Sequence, residues 1–298
     1  MSLNLFEPVD PKLIDVVLDP SGYPDELAAG DTRDVLWNVC GDASREFPKE
    51  LWIEPEDWPD ACREAEKNRT MAVHYVDRFT NQDPTHECTC HSLRTNFETA
   101  WNRTKAAGIG PPKAGERLDA SAKFGSLWVS PLSIYAEANP RQWGGAGVRQ
   151  VLDIALRRGF LPEPIQPKEY KFKHTLHGTT GRGGKNQASG NWVPLSRFPD
   201  GWEETAKHIK PLEVILPSEW EQAVCLVIHG YPVSVGRNGH AIPWTHWSPT
   251  NQAMGYTDSY DVIRWDSKRT VQSAYSGGFS IATVVVPDDW DNPTGVAV

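Results

Sequence analysis

Two periodicities occupy different parts of this chain. In the middle, apolar residues recur at helical spacing: Leu93, Phe97, Ala100 and Trp101 share one face of a helix that begins near Cys88. In SPLSIYAEAN, Ser130 suits an N-cap and Pro131 the first helical position. VRQVLDIALRRG carries the stripe Val148, Val151, Leu152, Ala155 and Leu156, with Gly159 where a helix stops. SEWEQAVCLVIHG predicts one more helix, capped by Ser218. The β-formers gather late, in YPVSVGRNGHAIPW, SYDVIRWDS and GGFSIATVVV, and TMAVHYVDRF (Thr70 to Phe79) predicts an earlier strand. Helices first and strands last is the order of an α+β fold, not of βαβ alternation.

Before this pattern lies a segment rich in proline and acid. Residues 1–66 are expected to form an N-terminal extension with local helices in DELAAGDTRDVLWNV and PDACREAEK. The first 70 residues hold 17 acidic against 7 basic side chains, and the rest of the chain holds 22 against 23. No basic field is available for phosphates, which sets nucleic acid aside as a partner. The acidic segment is a solvated surface or a docking face for another protein. MSLNLFEPVD has neither the basic nor the apolar region of a secretory signal, and the longest apolar run, AVCLVI, is far too short to span a bilayer. A cytoplasmic protein or a component of an assembled particle is expected, without membrane contact. Thirteen Trp are many; they read as core anchors or as platforms for a ligand. The Gly-rich HGTTGRGGKNQASGN, His177 to Asn191, lacks the strand, the helix and the GK[ST] ending of a phosphate loop, and is expected to be surface loop.

The chemistry concentrates in NQDPTHECTCHSL, Asn81 to Leu93. His86, Cys88, Cys90 and His91 are metal-ligand types, but a structural zinc site uses two ligand pairs with wider cysteine spacing, and no second pair occurs. A redox dithiol needs C-x-x-C, also absent. Neither metal nor cofactor is expected. A nucleophile fits better: a thiolate at a helix start is stabilised by the dipole and by free backbone N–H groups. Cys88 takes that role ahead of Cys90, which reads as a small buried residue; His86 and His91 read as surface or cleft-mouth residues, and Cys40, Cys62 and Cys225 as core thiols. Gln82 could donate to an oxyanion. GHAIPW supplies a base, His240, with Gly239 leaving space beside the ring, and IRWDS supplies Asp266 to hold the imidazole.

Taken in order, these pieces resemble the papain-like cysteine peptidases, in a bacterial or phage-type form. QDPTHEC is similar to that family's Q-x5-C element, CTCHSL to its cysteine-helix start, and SPLSIYAEA to its following helix. QWGGAGVRQVLDIALRRGFLPE resembles the Gly-Gly turn and helix, YPVSVGRNGHAIPW the G-P-V-x-V and G-H-A strands, and SGGFSIA the closing strand. The resemblance runs from about Val73 to Val286. It implies a two-lobed fold in residues 67–298: a mainly helical lobe (67–165) with Cys88, a loop-rich insertion (170–210) and a barrel-like antiparallel β lobe (211–298) with His240. It further implies an oxyanion hole of Gln82 and the Cys88 backbone, a substrate-binding turn at Gly144 and Gly145, and a peptide or protein substrate, cell-wall peptide included. Asp266 stands where the family has Asn, and Glu87 stands beside the nucleophile. A second expectation is therefore a fold kept as a non-catalytic binding or structural component of an assembly such as a phage particle.

Overall fold

The computed structural model describes residues 5–15, 33–81, 86–109, 128–139, 145–171, 173–176, 189–190, 193–237, 239–258 and 262–286. Its described helices are α1 (Arg33–Cys40), α2 (Trp58–Asn68), α3 (Cys88–Ile109), α4 (Leu132–Ala138), α5 (Val148–Arg158), α6 (Trp202–Ala206), α7 (Trp220–Ile228) and α8 (Lys268–Ala274). The strands are β1 (Ser44–Arg45), β2 (Arg78–Asn81), β3 (Val129–Ser130), β4 (Leu161–Pro162), β5 (Tyr170–Lys171), β6 (Lys173–Leu176), β7 (Ser189–Gly190), β8 (Lys210–Ile215), β9 (Val233–Arg237), β10 (His240–Ser248), β11 (Ala253–Asp258), β12 (Val262–Ser267) and β13 (Gly278–Val285). The order is mixed α and β, with most long strands late, as the sequence predicts.

One seven-stranded sheet organises the chain, in the order β1-β8-β13-β9-β10-β11-β12. Its pairs are antiparallel except β1 with β8. Barrel-like closure is not among its described pairings. Both faces are covered. One face meets α1, α3 and α5 in a core holding Leu93, Phe97, Val151, Leu152, Ala241, Phe279 and Ile281. The other meets α2 and α7 in a core holding Trp58, Val224, Val227, Ile242, Trp244, Trp247 and Tyr256. Burial on both sides explains why every residue of β10 is buried and why HAIPWTHWS shows no alternation.

Residues 1–66 are less separate than the extension expected of them. Two of their helices form where the sequence places them, as α1 and α2. Yet Leu5 is fully buried in the second core, and its carbonyl accepts from Ser248 Oγ at 2.7 Å. β1 adds an outer strand beside β8, and Ile14 bridges to Trp265. Trp58 of α2 meets Trp247 of β10 and Trp220 of α7 edge-on, with ring centroids 5.4 and 5.5 Å away. These tryptophans are core anchors, the first of the two roles the sequence offered.

Local expectations shift by a residue or two. The chain from Thr70 forms a 3-10 turn at Ala72–Tyr75 before β2 begins at Arg78. Helix α4 starts at Leu132, whose N–H is accepted by Ser130 Oγ at 3.3 Å. The cap of α7 is Glu219, while Ser218 donates from its N–H and Oγ to Gln222 Oε1. Most of the Gly-rich segment 177–191 lies outside the described residues, apart from β7. Helix α5 ends as predicted at Gly159, with φ +79°. A Cβ there would lie 1.9 Å from the Ala206 carbonyl oxygen and 2.7 Å from that of Ile209. Gly159→Ala combines backbone strain with a clash against main chain and should destabilise the protein by about 3 kcal/mol or more, read by urea unfolding.

Candidate active site

From Cys88 to Asn102, helix α3 is buried around its whole circumference, not along one stripe. Its apolar face is the predicted one, and its polar face finds specific partners. Ser92 Oγ donates to Ser234 Oγ of β9 at 2.9 Å. Asn96 Nδ2 donates to the carbonyls of Pro232 and Phe279 at 3.1 and 3.3 Å, and Asn96 Oδ1 accepts from Ile281 N at 2.8 Å. These bonds stitch α3 across β9 and β13 and fix where its N-terminal end lies against the sheet.

That end carries Cys88, the first residue of α3. Its sulfur accepts from the backbone N–H of Ala241 at 3.5 Å, and Thr89 Oγ1 lies 3.8 Å away. Ala241 follows His240, the first residue of β10. The nucleophile and base candidates, 152 positions apart, therefore sit on elements in contact. Gly239 before His240 has φ +76°, so the turn itself calls for glycine. His240 is the register partner of Arg237. Both Cys88 and His240 are fully buried.

Thr89 adds a link the sequence did not single out. Its hydroxyl donates to the Ala146 carbonyl at 2.6 Å, holding the turn before α5 close to Cys88. Gly145 lies in that turn, buried, its carbonyl accepting from Asn139 Nδ2 at 3.1 Å. Gly144 and Gln82 lie outside the described residues.

Asp266, near the end of β12, is buried. Its carboxylate pairs with Arg237 at 2.7 Å and accepts from Trp244 Nε1 at 3.2 Å. Arg237 also donates to Tyr256 Oη at 3.3 Å. Thus Asp266 reaches β9, which carries Arg237 opposite His240, and sequence reading had named neither Arg237 nor Trp244. Burial raises the Asp266 acid to about 6, with Arg237 and Trp244 acting in the opposite direction. An acid raised on folding contributes stability that is complete at low pH and lost as pH rises. The stability of the wild type relative to Asp266→Asn should therefore fall between about pH 4 and about pH 6, read by urea unfolding across pH.

The remaining thiols are poor rivals. Cys90 is fully buried, and burial, the Glu87 carboxylate and Cys88 hold its thiol well above the usual range. Burial pushes Cys40 and Cys62 up to about 12 and raises Cys225. Such thiols stay protonated and unreactive. His91 departs from its expected surface position: it is buried, its Nδ1 lies 2.7 Å from Thr80 Oγ1, and burial with Arg94 and Arg78 keeps its pKa well below the usual range. No group of three or more His, Cys, Asp or Glu side chains suited to a metal ion occurs among the described residues. No described helix is long and apolar enough to cross a membrane.

Around the first turns of α3 lies a buried ionic network. Arg78 of β2 donates to Glu98 at 2.6 Å and to Glu163, and Arg94 donates to Glu98. The Arg78 guanidinium lies 4.6 Å from the Trp128 ring centroid, and Trp128 Nε1 donates to Asp77 at 2.9 Å. Glu98 Oε1 also accepts from the N–H of Val129. The network ties β2, α3 and β3 together along the N-terminal half of α3.

No protein-family model matches this chain, and no curated protein does either. Among solved structures it is similar to xylellain, a cysteine protease from Xylella fastidiosa, with 12% identity, TM-score 0.48, and coverage of 72% of this chain and 85% of the other. It is similar to procathepsin B S9 from Trypanosoma congolense, with 13% identity, TM-score 0.43, and coverage of 82% of each chain. A third similar structure comes from work on antibody cross-reactivity between the mite allergens Blo t 1 and Der p 1, with 11% identity, TM-score 0.41, and coverage of 89% of this chain and 81% of the other.

Proposed function

We propose that the chain is a papain-like thiol hydrolase, a cysteine peptidase or related acyl-transfer enzyme, with Cys88 as nucleophile and His240 as base. The observation that carries this reading is the 3.5 Å approach of Cys88 Sγ to the backbone N–H beside His240, with the sulfur at the first turn of a 22-residue helix. In the proposed reaction the Cys88 proton passes to His240, and the thiolate adds to a substrate carbonyl. His240 then protonates the leaving amine as the C–N bond breaks. Water, activated by the same imidazole, hydrolyses the thioester and frees the sulfur. The Cys88 N–H and Gln82 are the proposed oxyanion donors. Asp266, held by Arg237 and Trp244, is the proposed group fixing the imidazole, and Gly144 and Gly145 the turn along which a peptide lies.

A small thiol alkylator tests the assignment. Folded protein at neutral pH should take up one equivalent on Cys88, located by peptide mass, and lose peptide hydrolysis in parallel. Uptake only after denaturation would end the enzymatic reading.

A second reading, a non-catalytic component of a larger assembly, is favoured by one feature: neither Cys88 nor His240 is exposed. It expects Cys88→Ala to leave assembly and biological role unchanged. Loss of that role in a folded variant would remove it. An acidic N-terminal docking face for a protein partner is proposed under either reading.

A further inference from the structure

Trp58, Trp244, Trp247 and Trp265 are spent on the interior. Trp52 is not: it is 36% exposed and is the described tryptophan most open to solvent. Its neighbours explain why. Leu51 and Ile53, on either side, pack against the second core. The Ile53 carbonyl accepts from Trp58 Nε1 at 3.1 Å, and the turn Lys49–Leu51 is closed by the Leu51 N–H on the Pro48 carbonyl at 2.9 Å. The chain is thus pinned on both sides of Trp52 while the indole stays out of the core. Phe47 meets that indole at 88°, with ring centroids 6.3 Å apart.

The two rings border a cavity of about 530 Å³ between this segment and the start of α7. That volume falls within the range of small-molecule sites. Ser218 and Gln222 line it from the helix side, and Glu46 and Lys49 complete the wall. The Ser218 N–H and Oγ both donate to Gln222 Oε1, at 2.8 and 3.1 Å, which orients the amide and leaves Nε2 outside both bonds. One carboxylate and one ammonium offset each other, so the lining has no net charge to reward an anion or a cation. What it offers is an aromatic corner surrounded by a hydroxyl, an amide and two charged hydrogen-bonding groups.

We propose that this cavity is a saccharide-binding site that takes a neutral pyranose unit against Trp52. A pyranose presents a face of weakly positive C–H groups, which lies on the negative face of an indole. Its hydroxyls both donate and accept, matching the carboxylate, ammonium, amide and hydroxyl of the lining. The site is independent of the proposed hydrolase: its wall rests on the second core, whereas Cys88 belongs to the first, across the sheet. It would hold the protein to a glycan whether or not Cys88 reacts.

Saturation-transfer NMR of the full chain with cellobiose, maltose and chitobiose tests this. At least one of the three should bind one-to-one with a millimolar Kd. Trp52→Ala should weaken that binding about tenfold or more, the loss expected when a stacked ring is removed, and Trp52→Phe should restore part of it. Glu46→Ala, at an exposed side chain on the same wall, should weaken it severalfold without touching the aromatic corner. Circular dichroism checks that each variant is folded. No binding of any of the three sugars at tens of millimolar overturns the proposal. So does binding that is equal in wild type, Trp52→Ala and Glu46→Ala, which would place the sugar elsewhere on the surface. Displacement of a bound sugar by a short charged peptide, with the peptide the tighter ligand, would also overturn it.

Discussion

Replacing His240 by alanine is expected to slow alkylation of Cys88 at about pH 6 by roughly a hundredfold or more, and to abolish hydrolysis. Without a partner imidazole the thiol returns to the range of an ordinary or buried cysteine, where little thiolate exists at that pH. The loss should narrow as pH rises, because under the proposed pairing only the alanine variant still has a thiol to ionise in that range. Circular dichroism of the variant separates a lost base from a lost fold, since an unfolded thiol also titrates. Cys90 cannot take over, since burial and Glu87 hold its thiol high. Equal rates for wild type and variant at every pH would remove His240 from the proposed chemistry.

The second large effect concerns Arg78. It lies fully buried, bonded to Glu98 and Glu163 and stacked against Trp128. Arg78→Met removes the positive partner and leaves Glu98 with Arg94 alone on its charge-paired side. A cost of about 3–5 kcal/mol is expected, because a buried carboxylate loses compensation it cannot recover from water. Pairing Arg78→Met with Glu98→Leu should recover part of that loss, since the second change removes the stranded charge. Urea unfolding of the two single variants and the double variant gives the coupling directly. Purely additive losses would mean the two side chains do not act as a pair.

The sequence was most legible where one physical rule acted alone. Helix α5 was readable because its stripe is regular and Gly159 is required by main-chain oxygens of the segment behind it. The start of α3 was readable because its apolar residues recur at Leu93, Phe97 and Ala100. The charges around it were not. Asp77, Arg78, Arg94 and Glu98 look like solvated side chains in one dimension, and only the fold shows that they neutralise one another in the interior. Arg237 was missed for the same reason: nothing near it in sequence announces Asp266 as its partner. His240 could be nominated because Gly239, Ala241 and the hairpin around it form a local pattern, and Ala241 beside it does reach Cys88. The woven position of residues 5–15 and 33–66 was hidden because it rests on a two-residue strand and on single side chains such as Leu5, neither of which leaves a periodic signature.

That weaving has a consequence for maturation by trimming. A cut that released the chain ahead of Asn68 would strip the outermost partner from β8, expose the main-chain hydrogen-bonding groups it had occupied, and lift Trp58 off Trp247. Such a product would be an aggregation-prone fragment with a bared sheet margin, not a liberated enzyme. The leading segment is therefore a working part of this sheet and not a detachable one.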